Sequence, residues 1–368
     1  MRLLDRYLLR ELLTPLAYCL CGFLIFYVAF DLIFHIAQFQ EARLTPFDVV
    51  KYYAATVPEV LAEQVIPVSL LLAMLYALTN HSRHHELIAM RAAGVGVWRL
   101  AAPYLAVGAV LGGVVLVINE TLSPGADERA REILLLRKIG PKSRVVTGRI
   151  HFRSDDSVRD WVIDGGMNRL TGELLQPQVR WTSQQPGFPR QILAASAQFR
   201  DGQWVFADAD VWVWDKDQST ISPEFKIALP ESPEWIRTEI DCKALAQDRN
   251  GAAKRPQLSI AELVSYLRFH PHLSPEQSPV YYTQLQGRIA EPFTCMAVAL
   301  IAFPFGARSG RHNVFVGVAS SIFICFTYFI VQRITFGLGT AGDLPPVLAA
   351  WLPNIVFGGA GLVLMTRL

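Results

Sequence analysis

Residues Asn80–Val97 read NHSRHHELIAMRAAGVGV, a short basic stretch between two long apolar runs, and the rest of the chain is organised around it. Leu87, Met90, Gly94 and Val97 fall at i, i+3, i+7 and i+10, the repeat of one helical face. Glu86, Arg91 and Arg99 supply charge elsewhere on the segment. The stretch is too short and too polar to cross a bilayer, yet apolar segments flank it closely. It predicts a short amphipathic helix, at about residues 84–96, held at a membrane face where it can dock against something soluble. A helical connecting loop is the plainer alternative.

Composition supports the membrane setting. Of 368 residues, 52% are hydrophobic and only 18% charged, with net charge +2 and mean hydropathy +0.28. The deficit of charge is uneven: both ends are nearly charge-free and the middle is polar, the pattern of a membrane protein with a soluble insert. No small-residue cleavage site follows the first apolar run, so no cleavable signal peptide is expected. Cys19, Cys21, Cys295 and Cys325 lie in apolar runs, Cys242 is alone in the polar middle, and no CxxC occurs. That spacing indicates neither a zinc site nor a disulfide framework.

A bilayer core needs about 20 helical residues. Leu12–Ile36, Val57–Thr79, Trp98–Ile118, Val280–Phe305, Val314–Phe336 and Leu344–Met365 meet that length, giving six spans. If they alternate, Arg2, Arg6, Arg10, Arg83, Arg91, Arg99, Arg308, Arg311 and Arg367 share one side, and Arg43 and Lys51 lie on the other. Positive charge marks the cytoplasmic side. Both termini and the 80–99 segment are therefore expected in the cytoplasm and the polar middle outside. Asp31, about 28 Å along the first helix from Leu12, falls near the outer interface.

The middle changes period. Arg144–Phe152, Asp160–Asp164, Leu174–Trp181, Gln191–Phe199, Gln203–Ala207 and Val211–Trp214 are expected to be short strands, with Asp201-Gly202 as a hairpin turn. They predict an inserted all-β domain, a sandwich or jelly roll. Trp161, Trp181, Trp204, Trp212 and Trp214 suit its core better than a ligand platform. Ser259 with Glu262 forms a capping box that opens a return helix, with Ile260, Leu263, Val264 and Leu267 on one face and His270-Pro271 at its end. The expected organisation is residues 1–118 with three spans and the short helix, 119–279 as the β domain with its return helix, and 280–368 with three more spans.

Catalytic motifs are missing. No phosphate-binding G-x-x-x-x-G-K-[ST] occurs, so the chain is not expected to bind ATP by that device. His85-Glu86 begins like a zinc-protease motif, but Ala89 stands where the second histidine belongs. Glu59 and Glu63 lie one turn apart in the second span, and Arg288 and Glu291 can pair in the fourth. No metal or cofactor is expected.

Several stretches, taken in order, resemble the lipopolysaccharide export permeases of the LptF/LptG family, and the resemblance covers nearly the whole chain. They are Leu4-Asp5-Arg6-Tyr7; Val57-Pro58-Glu59 with Ile66-Pro67; Glu86-Leu-Ile-Ala-Met-Arg-Ala-Ala-Gly94; Pro292; Gln332; and Leu344-Pro345-Pro346 with Trp351-Leu-Pro353-Asn354. The start and the ending are more similar to the LptG branch. The resemblance implies one permease of a pair, set on a dimeric cytoplasmic ATPase through coupling helices, with Glu86, Leu87, Met90, Arg91 and Gly94 at the contact. It further implies a periplasmic jelly roll that continues into a membrane-tethered adaptor and a bridge. Lipopolysaccharide would leave the inner membrane past spans one and five. Relatives often carry lysines at the outer end of span one, where this chain has Asp31, His35 and Gln38. Arg43, Lys51 and Arg333 are the expected substitutes, with Asp31, His35 and Gln332 also expected at the lipid. The competing reading is a membrane-anchored scaffold whose β domain binds envelope partners without transport.

Overall fold

The computed structural model describes residues 3–126, 129–130, 133–134, 150–154, 158–168, 171–185, 188–214, 219–247, 258–270, 273, 277–307 and 314–367. Arg2, Arg308, Arg311 and residues 144–149 of the first expected strand lie outside them. The chain divides into two compact units, one of Met1–Ala130, Gln257–Val264 and Leu273–Leu368, the other of Arg131–Pro256 and Ser265–His272.

The first unit is helical. α1 (Leu3–Glu41) is followed by α2 (Pro46–Val60), a π-helical turn (Leu61–Val65), α3 (Ile66–Arg83), α4 (Glu86–Ala92) and α5 (Val97–Thr121). After the second unit come α8 (Ser278–Ala307), α9 (Val314–Ala341) and α10 (Pro346–Thr366). Among the described residues six helices are long and apolar enough to cross a membrane, with α2, the π turn and α3 counted as one. The second span begins at Pro46 rather than Val57 because Thr45 and Asp48 form a reciprocal capping box and Pro46 stands in the first turn.

The π turn has a local cause. Pro67 has no N–H, so the carbonyl of Glu63 loses its usual partner four residues on. The helix widens instead, and Ile66 N–H reaches back to Leu61 O.

α8 is the centre of the bundle, packed against α3, α5, α9 and α10. Helices in lipid associate through close packing of small residues. A Cβ on Gly112 of α5 would come 2.5 Å from the Pro292 carbonyl of α8, and one on Gly108 would come 3.1 Å from Ala299 Cβ. The apolar core runs through Leu8, Leu12 and Leu16 of α1, Leu70, Met74 and Leu78 of α3, Tyr104 of α5 and Phe303 of α8.

The second unit is built on one antiparallel eight-stranded sheet, ordered β1-β2-β4-β5-β7-β6-β3, with β8 on the other edge of β7. The strands are β1 (Ile150–Arg153), β2 (Arg159–Ile163), β3 (Leu174–Leu175), β4 (Pro177–Trp181), β5 (Gln191–Leu193), β6 (Ser196–Arg200), β7 (Gln203–Trp212) and β8 (Ser219–Ile227). Asp201 and Gly202, at φ 52° and 78°, make the expected tight turn between β6 and β7. Trp161, Trp181 and Trp204 are buried in one apolar cluster, which is the core use.

Several strand expectations are corrected. Leu174–Trp181 divides at Gln176, with φ 49°, into β3 and β4, and Gln191–Phe199 divides into β5 and β6. Gln203–Ala207 and the start of Val211–Trp214 belong to one strand that ends at Trp212: Asp208 has φ 49°, and burial slips by one residue across it, from Trp204 and Phe206 to Ala209 and Val211. β8 was not expected at all, since Pro223 interrupts it and no alternating apolar pattern marks it. It is an edge, where proline is tolerated.

Two helices lie between the sheet and α8: α6 (Pro233–Gln247) and α7 (Ile260–Phe269). The box at α7 is as expected, Ser259 N–H donating to Glu262 Oε2 at 2.8 Å and Glu262 N–H to Ser259 Oγ at 3.1 Å. The Glu120 carboxylate also accepts from the Ile260 and Ala261 N–H groups, joining the end of α5 to the start of α7. Of the expected apolar face, Leu263 is buried but Val264 is exposed.

The Gly112 contact is testable. Gly112→Val should cost about 1–3 kcal/mol through overpacking. Gly113→Val, where an added Cβ meets nothing within 4 Å, should be near neutral in a thermal melt of purified protein.

Candidate functional site

At the corner between α3 and α5, the expected helix is shorter than its periodicity implied. It covers Glu86–Ala92 only, because Asn80–Arg83 finish α3 and Val97 starts α5. Gly94, expected on the helical face, lies beyond it at φ 83°. Its N–H donates to Arg91 O and that of Val95 to Met90 O, the paired bonds of a Schellman ending, for which glycine is the natural residue. In this chain an added Cβ at Gly94 would meet nothing, so conformation alone accounts for the glycine here.

Leu87 is buried in the bundle core and Met90 packs against it, so these two hold α4 down. Ile88, Ala89, Arg91 and Ala92 are exposed. Glu86 looks inward as well as out: its Oε2 lies 2.6 Å from His81 Nδ1 and accepts from the Tyr7 hydroxyl at 3.0 Å. Nearby, Arg99 Nη2 donates to Asp5 Oδ2 at 2.8 Å. Burial works to raise the Glu86 pKa, but the hydrogen bonds from His81 and Tyr7, with the charges of His81 and His84, outweigh it and hold the carboxyl below its ordinary value. The stability this contact adds is therefore complete above the ordinary carboxylate range and lost as pH falls through the lowered value.

Elsewhere in the same unit lies a cavity of about 610 Å³ between the first, second and fifth spans. Phe23, Phe26, Tyr27 and Phe30 of α1 form one wall, and Phe326 and Phe329 of α9 another. Its back is the proline-flanked stretch, with Val60, Gln64, Val65 and Val68. The lining is almost wholly apolar, and several of these rings are exposed on the protein surface.

The polar residues expected to meet a headgroup fall into separate groups. Asp31 accepts from the Tyr53 hydroxyl at 3.1 Å and lies 3.2 Å from His35 Nδ1. Arg43 and Lys51 are both exposed at the α1–α2 corner, with Lys51 Nζ 4.6 Å from the centre of the Phe47 ring. Arg43 itself occupies the left-handed position that ends α1, at φ 50°, where glycine would be unstrained. Arg333 is brought instead to Glu63 of the π turn, at 3.2 Å, and Gln332 beside it is half-buried. Arg288 and Glu291 pair at 3.5 Å, as their spacing suggested, and Asn119 also donates to Glu291. Among the described residues no group of His, Cys, Asp or Glu could hold a metal ion.

Six spans, an inserted antiparallel sheet, and a short helix between spans two and three now stand beside one comparison. The family model for the lipopolysaccharide export system permease LptF/LptG matches residues 6–367. The chain belongs to the LptF/LptG family. It is thus a multi-pass inner-membrane permease of lipopolysaccharide export, a transport component. No curated protein matches the chain.

Within this permease, sequence reasoning passed over Asp5, Tyr7 and Tyr53, and it placed His81 with His84 and His85 on a solvated face, whereas His81 is buried against Glu86. Long-range partners carry no spacing signal; the only trace was Leu4–Tyr7, noted for resemblance and not for chemistry. The pair of bonds on Glu86 makes a prediction. Glu86→Ala should raise hydrogen exchange at the α4 amides by at least about tenfold, since both bonds to the charged group are lost. Lowering pH from 7 to 5 should not reduce their protection, since the Glu86 carboxyl stays ionised over that range.

Proposed function

We propose that this permease forms, with a second LptF/LptG-type permease, the membrane part of an ABC-type exporter that draws lipopolysaccharide from the inner membrane. A separate dimeric ATPase docks on α4 from the cytoplasm. The observation that carries this reading is the apolar cavity between spans one and five, open at the protein surface and sized for acyl chains rather than for a soluble substrate. A scaffold that moved nothing would have no use for it.

Orientation follows the arginines, with both termini and α4 cytoplasmic and the β unit periplasmic. There the sheet passes lipid to a membrane-tethered adaptor and on to a periplasmic bridge. On α4, Ile88, Ala89 and Arg91 face the ATPase, and Glu86 Oε1 accepts from one of its basic side chains. Leu87 and Met90 anchor the helix, and Gly94 lets the chain turn away beside the contact. At the other end, Arg43 and Lys51 meet lipid A phosphates, since charge-assisted bonds to phosphate are strong. The left-handed backbone at Arg43 supports this role: a strained conformation is kept at a position where the side chain does work. Arg333 joins them once released from Glu63, and Gln332, Asp31 and His35 line the approach.

Four measurements test the reading. The chain alone should hydrolyse no ATP while the assembled complex does. Glu86→Ala should weaken ATPase docking by about 2–5 kcal/mol, and unchanged assembly with unchanged export would remove the proposed contact. A single cysteine at position 201, in the exposed turn between β6 and β7, should label from the periplasm; labelling only after the cytoplasmic side is opened overturns the orientation. Photo-crosslinkers at 43 and 326 should capture lipopolysaccharide, and lose it when ATP drives export. Equal capture of bulk phospholipid in every state would leave only membrane anchors.

A further inference from the structure

Span one is buried in its unit at two ends and at most half-buried between them. Among the described residues of α1, only Leu8, Leu12, Leu16 and Phe39 are buried. At the far end, Phe39 packs against Tyr52 and Tyr53, and Asp31 accepts from Tyr53. At the near end, three leucines enter the core. Two polar contacts are added to them: the Tyr7 hydroxyl on Glu86 at 3.0 Å and the Asp5 carboxylate on Arg99 at 2.8 Å. The Tyr7 ring also lies 5.6 Å from that of His81. Between the two ends, Phe23, Phe26, Tyr27 and Phe30 are cavity wall.

The placing of those two polar contacts matters. Glu86 begins α4 and Arg99 lies in the first turn of α5, so they bracket the Gly94 turn. Leucine side chains in a core tolerate small sliding movements, because dispersion contacts are individually weak and non-directional. A hydrogen bond to a carboxylate is directional and strong and does not slide. A displacement of α4 and the start of α5 by a fraction of a helical turn must therefore carry residues 5–7 with it or break both bonds. An α-helix of 39 residues extends about 58 Å, so movement at its near end is delivered to the cavity wall along an otherwise lightly held rod.

We propose that Tyr7 and Asp5 are positioning residues of transport, forming a strut that carries displacement of α4 and the start of α5 into span one and so changes the width of the cavity between spans one and five. The proposal rests on α4 being the ATPase dock, and it adds the route by which that dock reaches the lipid.

Tyr7→Phe removes only the hydroxyl, and exchanging the charges of Asp5 and Arg99 (D5R with R99D) restores the second contact after D5R alone breaks it. In the assembled, membrane-reconstituted complex, a crosslinker at position 88 reports ATPase docking. A cysteine pair at 26 and 326 reports cavity width. Tyr7→Phe should keep docking and ATP hydrolysis while export per ATP falls about tenfold, and 26–326 crosslinking should cease to respond to nucleotide. D5R should behave alike and the charge exchange should recover it. Unchanged export in both Tyr7→Phe and D5R, with docking at 88 intact, overturns the strut alone. Loss of docking or of ATP hydrolysis in Tyr7→Phe also overturns it, since that is the mark of a merely structural anchor. Failure of the parent complex to crosslink at 88 overturns the docking reading itself.

Discussion

Hydrocarbon offers no hydrogen bonds, so each spanning segment must satisfy its own backbone, and any place where it does not is expensive and specific. Proline 67 creates such a place. It removes one donor in the second span, and the chain answers with a wider turn at Leu61–Val65 instead of a break. That turn brings Glu63 against Arg333 of the fifth span and sets Gln64 and Val65 in the cavity lining. An ion pair at this depth is tolerated because it is half-exposed and mutually compensated. The cavity, the pair and the irregular backbone thus have one origin.

Packing decides the remainder of the helical unit. Where Gly108 and Gly112 let α5 approach α8, the backbones meet closely and the interior is filled. Among the described residues no comparable interlock joins the middle of α1 to α9, where both present phenylalanines to the cavity. Two rows of large rings hold helices apart, and the space left is apolar. In the proposed role this is chemically apt: acyl chains would gain nothing specific from such a wall, and so could leave it.

The β unit obeys a different rule. Its sheet buries Trp161, Trp204 and Phe206 on one side and exposes most of β8. A fully buried pair, Arg159 and Glu231 at 2.9 Å, ties β2 to the segment before α6. Such a pair adds little net stability but is costly to break on one side, which favours one arrangement of that segment over its neighbours. Trp204 Nε1 donating to Glu231 O at 2.6 Å serves the same segment.

Periodicity and composition were enough, by themselves, to give six spans, an inserted all-β domain, the turn at Asp201-Gly202, the cap at Ser259 and the short helix after span two. Each of these depends on residues within a few positions of one another, where spacing and structure correspond directly. Membership of the LptF/LptG family was legible for the same reason, in local motifs strung along the chain. The tertiary structure decided what local spacing cannot encode. It showed that Leu87 faces the core, that Gly94 ends the helix instead of lining it, and that Glu86 is held by Tyr7, 79 residues away in sequence. It also sent Arg333 to Glu63, which lies 270 residues away. Partners at that distance are chosen by how helices pack, and packing depends on the volumes of all the side chains at once.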